Sequence, residues 1–207
     1  SAIADLPGGI AVHPSVPSNT VTELIAYAKA RPGQLNYGSS GVSSAQSLSF
    51  EFLIDKAGLN IPHIPYKGGA GAATIGALSG EVNIAVGTMA SFAPHLSSGK
   101  LKVVGVLAEK RLASHPDIPT LVESGFPELT TASWQGIFVP KGTPRPIVNK
   151  LYTALMKVLE DKAAIDRFAQ VSAVTIANKS PEDFAAFMKT QTDFWGGLIK
   201  RLNVPTM

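Results

Sequence analysis

Two short runs limit what this chain can fold into: Val82 to Gly87 (VNIAVG) and Leu101 to Leu107 (LKVVGVL). Both are apolar almost without interruption. That is the pattern of strands covered on both faces, as in a parallel sheet between layers of helix. The chain around them alternates in the same sense. Gly9 to His13 (GIAVH) reads as a strand. A capping box at Thr20 and Glu23 then opens the helical stretch LIAYAKA. Pro32-Gly33 ends that helix and QLNYG is the next strand. A helix to about Lys56 is stopped by Gly58, and IPHIPY is a strand held between Pro62 and Pro65. KGGAGAATIGALSG is a loop opening into a small-residue helix, and Met89 to Leu96 is a further helix. Strand and helix in alternation from Ile10 to Leu107 predict βαβ units and an α/β fold.

The texture changes after Leu107. Arg111 to Leu129 is irregular and proline-rich, TASWQGIFVP is a longer strand, and Pro144 and Pro146 stand at the start of a helix. A strand is expected near VSAVTIA, and Ser180-Pro181-Glu182-Asp183 caps a last helix running to about Arg201.

Composition narrows the function classes. With 207 residues, 45% hydrophobic and 16% charged, the chain is long enough to bury a real core. A net charge of +3 with scattered lysines leaves no footprint for nucleic acid. The absence of cysteine removes disulfides, thiolate catalysis and cysteine metal sites. The four histidines are far apart, no metal-ligand spacing occurs, and no cofactor is expected. No apolar run is long enough for a transmembrane helix, and no signal peptide opens the chain.

The candidate chemistry lies in turns of small residues. Asn36 to Phe52 reads NYGSSGVSSAQSLSFEF, a Ser/Gly knot running straight into an amphipathic segment. A nucleophile elbow needs G-x-S-x-G, and Gly38 to Val42 is G-S-S-G-V, so acyl transfer is disfavoured. An anion cradle fits better. Backbone N–H groups at a helix start carry the positive end of the helix dipole, and Ser39, Ser40, Ser43 and Ser44 add hydroxyls. Gly38 and Gly41 permit close approach and unusual φ. A capped turn without a ligand explains the same residues equally well. Lys67 to Thr74 (KGGAGAAT) misses the dinucleotide fingerprint at Thr74, and no P-loop string exists. Gly87-Thr88 opens a third such turn. In an open parallel sheet all three lie beyond the carboxyl ends of strands, where ligands bind. Trp134 reads first as a core residue, placed where the chain changes character.

In order along the chain come NYGSSG, HIPYKGG, the strand entry Gly80 to Asn83, SGKLKVVGV, AEKR, HPDIPTLVESGFP and SWQGIFVPKGTPRPIVNKL. Together they resemble the substrate-binding proteins of tripartite tricarboxylate transporters, the Bug family. The resemblance implies a periplasmic binding protein-like (type II) α/β fold of two lobes around a cleft. Residues 12–129 would form lobe two; residues 1–11 and 130–207 would form a partial lobe one, short of its usual N-terminal part. It implies a non-enzymatic, periplasmic receptor for a small mono- or dicarboxylate, delivered to a membrane permease. Its ligand contacts would come from Ser39, Ser40, Gly41, Val42, Ser43, Ser44, Gly87 and Thr88, with Tyr66, Lys67, Gly68 and Trp134 as further candidates. Val42, Ser43 and Ser47 stand where the family loop has asparagine, glycine and histidine, which leaves the ligand open. A partial lobe exposes apolar surface, so homodimerisation is expected. The competing readings are an α/β hydrolase or nucleotide-dependent transferase using the Ser/Gly loops, and a sensory domain on the same fold.

Overall fold

The structure, a computed structural model, describes residues 1–130, 132–175 and 180–202. The strands are β1 (Ala2–Val12), β2 (Tyr37–Ser39), β3 (His63–Pro65), β4 (Ile84–Thr88), β5 (Lys102–Leu107), β6 (Ala132–Gly136) and β7 (Val174–Thr175). The helices are α1 (Val21–Lys29), α2 (Ala45–Ala57), α3 (Gly69–Ser79), α4 (Met89–Leu96), α5 (Arg145–Leu159), α6 (Lys162–Gln170) and α7 (Pro181–Arg201).

The α/β expectation holds, with one correction to the sheet. β3, β2 and β4 are parallel neighbours, but β1 lies between β4 and β5 and runs antiparallel to both. The strand order is β3-β2-β4-β1-β5, so the sheet is mixed. The apolar runs still face helices on both sides. Ile84, Val86 and Val104 point into a core with Leu24, Tyr37, Phe50 and Leu53. Ala85, Val103 and Val106 point into a second core with Met89 and Phe92. Alternation along β4 and β5 therefore feeds two cores, which is why every position had to be apolar.

β1 is longer than the strand expected at Gly9 to His13. Its first half, Ala2 to Pro7, pairs with β6, and Ala4 and Asp5 also pair with β7. Its second half, Gly8 to Val12, pairs with β4 and β5. One strand thus passes from one set of partners to another at Pro7-Gly8. Proline, which has no N–H to give a ladder, sits at that handover.

Local signals acted as the residue types dictate. Glu23 N–H donates to Thr20 Oγ1 at 3.2 Å, while the Glu23 carboxylate accepts from Asn19 N–H at 2.6 Å, one residue earlier than a strict capping box. Ser180 Oγ accepts from Asp183 N–H at the start of α7. The irregular stretch after β5 is held by Arg111 on Glu123 at 3.0 Å and by an isolated bridge from Val106 to Thr120. The strand expected through Pro140 ends at Gly136, because its partner β1 runs out at Ala2. In VSAVTIA only Val174–Thr175 is strand, and Ile176 and Ala177 lie outside the described residues.

Candidate functional site

Sheet topology brings the small-residue turns to one edge. β2, β3 and β4 run parallel and end at Ser39, Pro65 and Thr88. β1 enters at that same edge, with Gly8 opposite Thr88 and Gly9 opposite Gly87. Close backbone approach seals the junctions. A Cβ on Gly8 would lie 3.2 Å from Gln46 Cγ in the first turn of α2. A Cβ on Gly87 would lie 3.3 Å from Ala70 Cβ at the start of α3 and 3.1 Å from Ser91 Oγ. The turns after β2, β3 and β4 thus meet around the crossing point of β1.

The knot after β2 is organised about the Gly41 peptide. Gly41 has φ +137, a conformation for glycine. Its N–H donates to Ser39 Oγ at 3.1 Å. Its carbonyl accepts from Ser47 Oγ at 2.7 Å and from Ser44 N–H at 3.2 Å. Ser44 is the N-cap of α2, its hydroxyl accepting from Ser47 N–H at 3.2 Å, and Leu48 N–H donates to the Ser44 carbonyl. That leaves the N–H groups of Ala45 and Gln46, which have no acceptor within a helix, at the positive end of α2. Ser40, Gly41 and Ser44 are half-buried, and Ser43 and Val42 are exposed, Val42 at 54%. Thr88 is the N-cap of α4 and makes no side-chain capping bond, so its hydroxyl is not committed to the helix.

Ser39 has a different part to play. Its side chain is fully buried, and its Oγ lies 2.7 Å from His63 Nε2 and 3.0 Å from the Gly41 carbonyl. The contact resembles the nucleophile–base pair of a hydrolase, but a sealed hydroxyl meets no substrate. His63 stacks on Tyr37 with ring centroids 4.4 Å apart, and Tyr37 Oη donates to Glu51. Burial holds the His63 pKa below its ordinary value, and the Glu51 carboxylate opposes that shift in part.

Two expected contacts point elsewhere. Tyr66 lays its ring between Gly38 and Gly76, under α3, where a Cβ on either glycine would collide with it. Its hydroxyl is buried with no hydrogen-bond partner, and burial pushes its pKa up. Trp134 packs edge-on against Phe184 and Phe187 of α7, at 5.8 and 5.5 Å. Its neighbour Ser133, on the opposite face of β6, accepts from Gln46 Nε2 at 2.9 Å. The cavity beside Trp134, about 260 Å³, is lined by Asp5, Glu109 and Glu128, a setting that repels anions. Lys67 and Gly68 are exposed in the turn before α3. Reading along the chain found no tie between His63 and the knot and passed over Gln46. The only signal for Gln46 was a polar residue in the first turn of a helix, beside the cradle.

Asp5 yields a prediction with a definite sign. Burial raises its pKa, so the folded chain binds this proton more tightly than the unfolded chain. The stability from this group is fully present below the unfolded carboxylate pKa and is lost as pH rises through the folded one. Asp5→Asn is expected to raise the Tm at pH 7, with the gain shrinking toward about pH 4. Thermal melts at the two pH values check it, and a lower Tm at pH 7 would contradict it.

Among the described residues no group of three His, Asp or Glu side chains is placed to hold a metal, and no helix is long and apolar enough to cross a membrane. The family model described as "Tripartite tricarboxylate transporter family receptor" matches residues 1–204. The chain belongs to the tripartite tricarboxylate transporter receptor family. Among curated members, a UPF0065 protein of Bordetella pertussis is 35% identical over 96% of this chain and 61% of its own length. "Protein BugT" of the same organism is 29% identical over 97% of this chain and 61% of its own. The chain thus spans about 61% of the length of these receptor-family relatives. Three solved structures carry the same fold. "R. palustris Rpa4515 with adipate" has TM-score 0.87 at 29% identity, covering 98% of this chain and 67% of that one. "Periplasmic binding protein BugD" has TM-score 0.84 at 31% identity, with coverages of 100% and 69%. MatC from Rhodopseudomonas palustris, with bound malate, has TM-score 0.80 at 25% identity, with coverages of 96% and 68%.

Proposed function

We propose that this chain acts as a periplasmic solute receptor that binds a small mono- or dicarboxylate and delivers it to a tripartite tricarboxylate-type membrane permease. It performs no catalysis. The observation that carries this reading is the Gly41-centred turn at the start of α2, which leaves the Ala45 and Gln46 amides at a positive helix end beside Thr88. Family membership and the adipate- and malate-bound relatives support a carboxylate as the ligand. The ligand contacts are Ser40 to Ser44 with Gly87 and Thr88, while Ser39 holds the turn from behind.

The lobes divide as residues 12–129 against 1–11 with 130–207, and the handover within β1 favours moving that boundary to Pro7-Gly8. The exposed Ile137, Phe138 and Leu151 supply an apolar face for self-association, which light scattering tests: a dimer is expected and a clean monomer counts against it.

Calorimetry against a panel of organic acids that includes adipate and malate tests the receptor reading. At least one acid is expected to bind. A version extended to the length of the relatives that binds none of them would sink it.

A further inference from the structure

We propose that His63 is the positioning residue of the carboxylate turn, and that its protonation state is relayed through the Ser39 and Ser47 hydroxyls to the first turn of α2. The inference rests on the receptor reading for its consequence and on geometry for its mechanism. Ser39 Oγ has one proton and three neighbours: His63 Nε2 at 2.7 Å, Gly41 N at 3.1 Å and Gly41 O at 3.0 Å. The Gly41 N–H always donates to it. With the neutral ring carrying its proton on Nδ1, the Ser39 hydroxyl donates to Nε2. With the ring protonated on both nitrogens, Nε2 donates to Ser39, and the hydroxyl proton turns to the Gly41 carbonyl.

The next step is also built. The Gly41 carbonyl is already an acceptor for Ser47 Oγ at 2.7 Å, and Ser47 Oγ has a second acceptor, the Ser44 carbonyl, at 2.9 Å. A hydroxyl arriving from Ser39 therefore has room on Gly41 once Ser47 turns to Ser44. His63, Ser39, Gly41, Ser47 and Ser44 form a continuous line ending at the N-cap of α2. The Ser39 and Ser47 hydroxyls and the Gly41 N–H each keep an acceptor in both states, so the exchange among them costs little.

The groups facing the imidazole are few. β2 contributes Tyr37, stacked on it, and Ser39. α2 contributes Glu51, whose carboxylate accepts from Tyr37 Oη. α3 has no titratable side chain. A proton gained on His63 thus adds a positive charge directly behind the turn that meets the anion, one side chain removed from Gly41. Carboxylate affinity rises as pH falls through the His63 pKa and is flat above it.

Two measurements on the 207-residue chain test this, one of them without a ligand. In nitrogen-15 NMR, the Gly41 amide of the wild type is expected to titrate with the same midpoint as the His63 ring. His63→Phe keeps an aromatic ring over Tyr37 but loses the contact, and abolishes the Gly41 titration. Calorimetry with adipate then reads the consequence. His63→Phe and Ser39→Ala each weaken binding by about 3- to 10-fold, and the double variant is no worse than either. His63→Gln, which restores a polar group toward Ser39, recovers affinity without pH dependence beyond that of adipate. Should His63→Phe fail to fold, Ser39→Ala alone must still remove the Gly41 titration. A Gly41 amide that ignores the His63 midpoint overturns the proposal, as does full adipate affinity in His63→Phe. If the wild type binds no adipate, the loss falls on adipate as ligand, and the Gly41 titration alone decides the relay.

Discussion

Gly76→Ala is expected to destabilise the chain, although alanine is the better helix former. The exchange sits inside α3, where alanine is favoured over glycine by about 1 kcal/mol. Against that stands Tyr66. A Cβ at residue 76 would lie inside contact distance of Tyr66 Oη and 2.7 Å from its Cζ. The ring cannot tip away, because its other edge already lies where a Cβ on Gly38 would be 2.9 Å from Cε2. Overpacking of this kind costs about 1–3 kcal/mol, or more where the neighbour is pinned. With the ring pinned the upper half of that range applies, and a net loss of about 1–2 kcal/mol is expected to lower the Tm by roughly 2–8 °C for a chain of this size. Tyr66→Leu in the same chain should remove most of the added penalty, so the pair is non-additive in a double-mutant cycle. A rise in Tm for Gly76→Ala would mean that the propensity gain is unopposed and that Tyr66 does not occupy this wedge. Tyr66→Phe, which discards only a buried hydroxyl without a partner, should leave carboxylate affinity unchanged. A tenfold loss there would return Tyr66 to the ligand.

The contrast between Tyr66 and Ser39 shows where reading along the chain stops. The runs at Val82 to Gly87 and Leu101 to Leu107 were legible because burial on both faces leaves a mark at every position. The caps at Thr20 and Ser180 were legible because their partners are three residues away. The first half of β1 was not. Asp5, Pro7 and the glycines after it have the composition of a loop, and they are tolerated in a strand because the strand changes partners there. Gly9 is needed for a further reason: a Cβ would meet Met89 Sδ at 2.9 Å. Ser39 and His63 are separated by 24 positions, and only the parallel pairing of β2 with β3 brings them together. The turns at Ser39–Ser44 and Gly87-Thr88 could be read as edge features from the strand-to-helix pattern. Which serine holds the turn and which face its open side depends on alternation and register, which no local window contains.

Gly41→Ala should be the most damaging single change to ligand binding that leaves the fold standing. Residue 41 has φ +137, and a Cβ built there meets nothing within 4 Å. Space is therefore not the obstacle; the backbone is. An L-residue held in this region carries about 1–3 kcal/mol of strain. The turn can bear that strain or relax to a negative φ. Relaxation moves the Gly41 carbonyl away from Ser47 Oγ and Ser44 N–H and its N–H away from Ser39, all of which meet on this one peptide. Either outcome spoils the arrangement that presents the first turn of α2. Affinity for a carboxylate that the wild type binds, measured by calorimetry, is expected to fall about 10- to 100-fold, equivalent to about 1.4–2.8 kcal/mol. The two apolar cores lie on the two faces of the sheet and Gly41 belongs to neither, so the Tm should drop by only a few degrees. Gly99→Ala is the matched control, since Gly99 also has a positive φ with open space around its Cβ position but lies in the exposed turn before β5, outside the ligand contacts. Wild-type affinity in Gly41→Ala would place the carboxylate elsewhere on the molecule. A large fall in Tm together with lost binding would instead make Gly41 a requirement of the fold. The outcome that fits the cradle is lost affinity on a stable chain, because a ligand held by backbone amides depends on the conformation of a glycine whose Cβ position no other atom approaches.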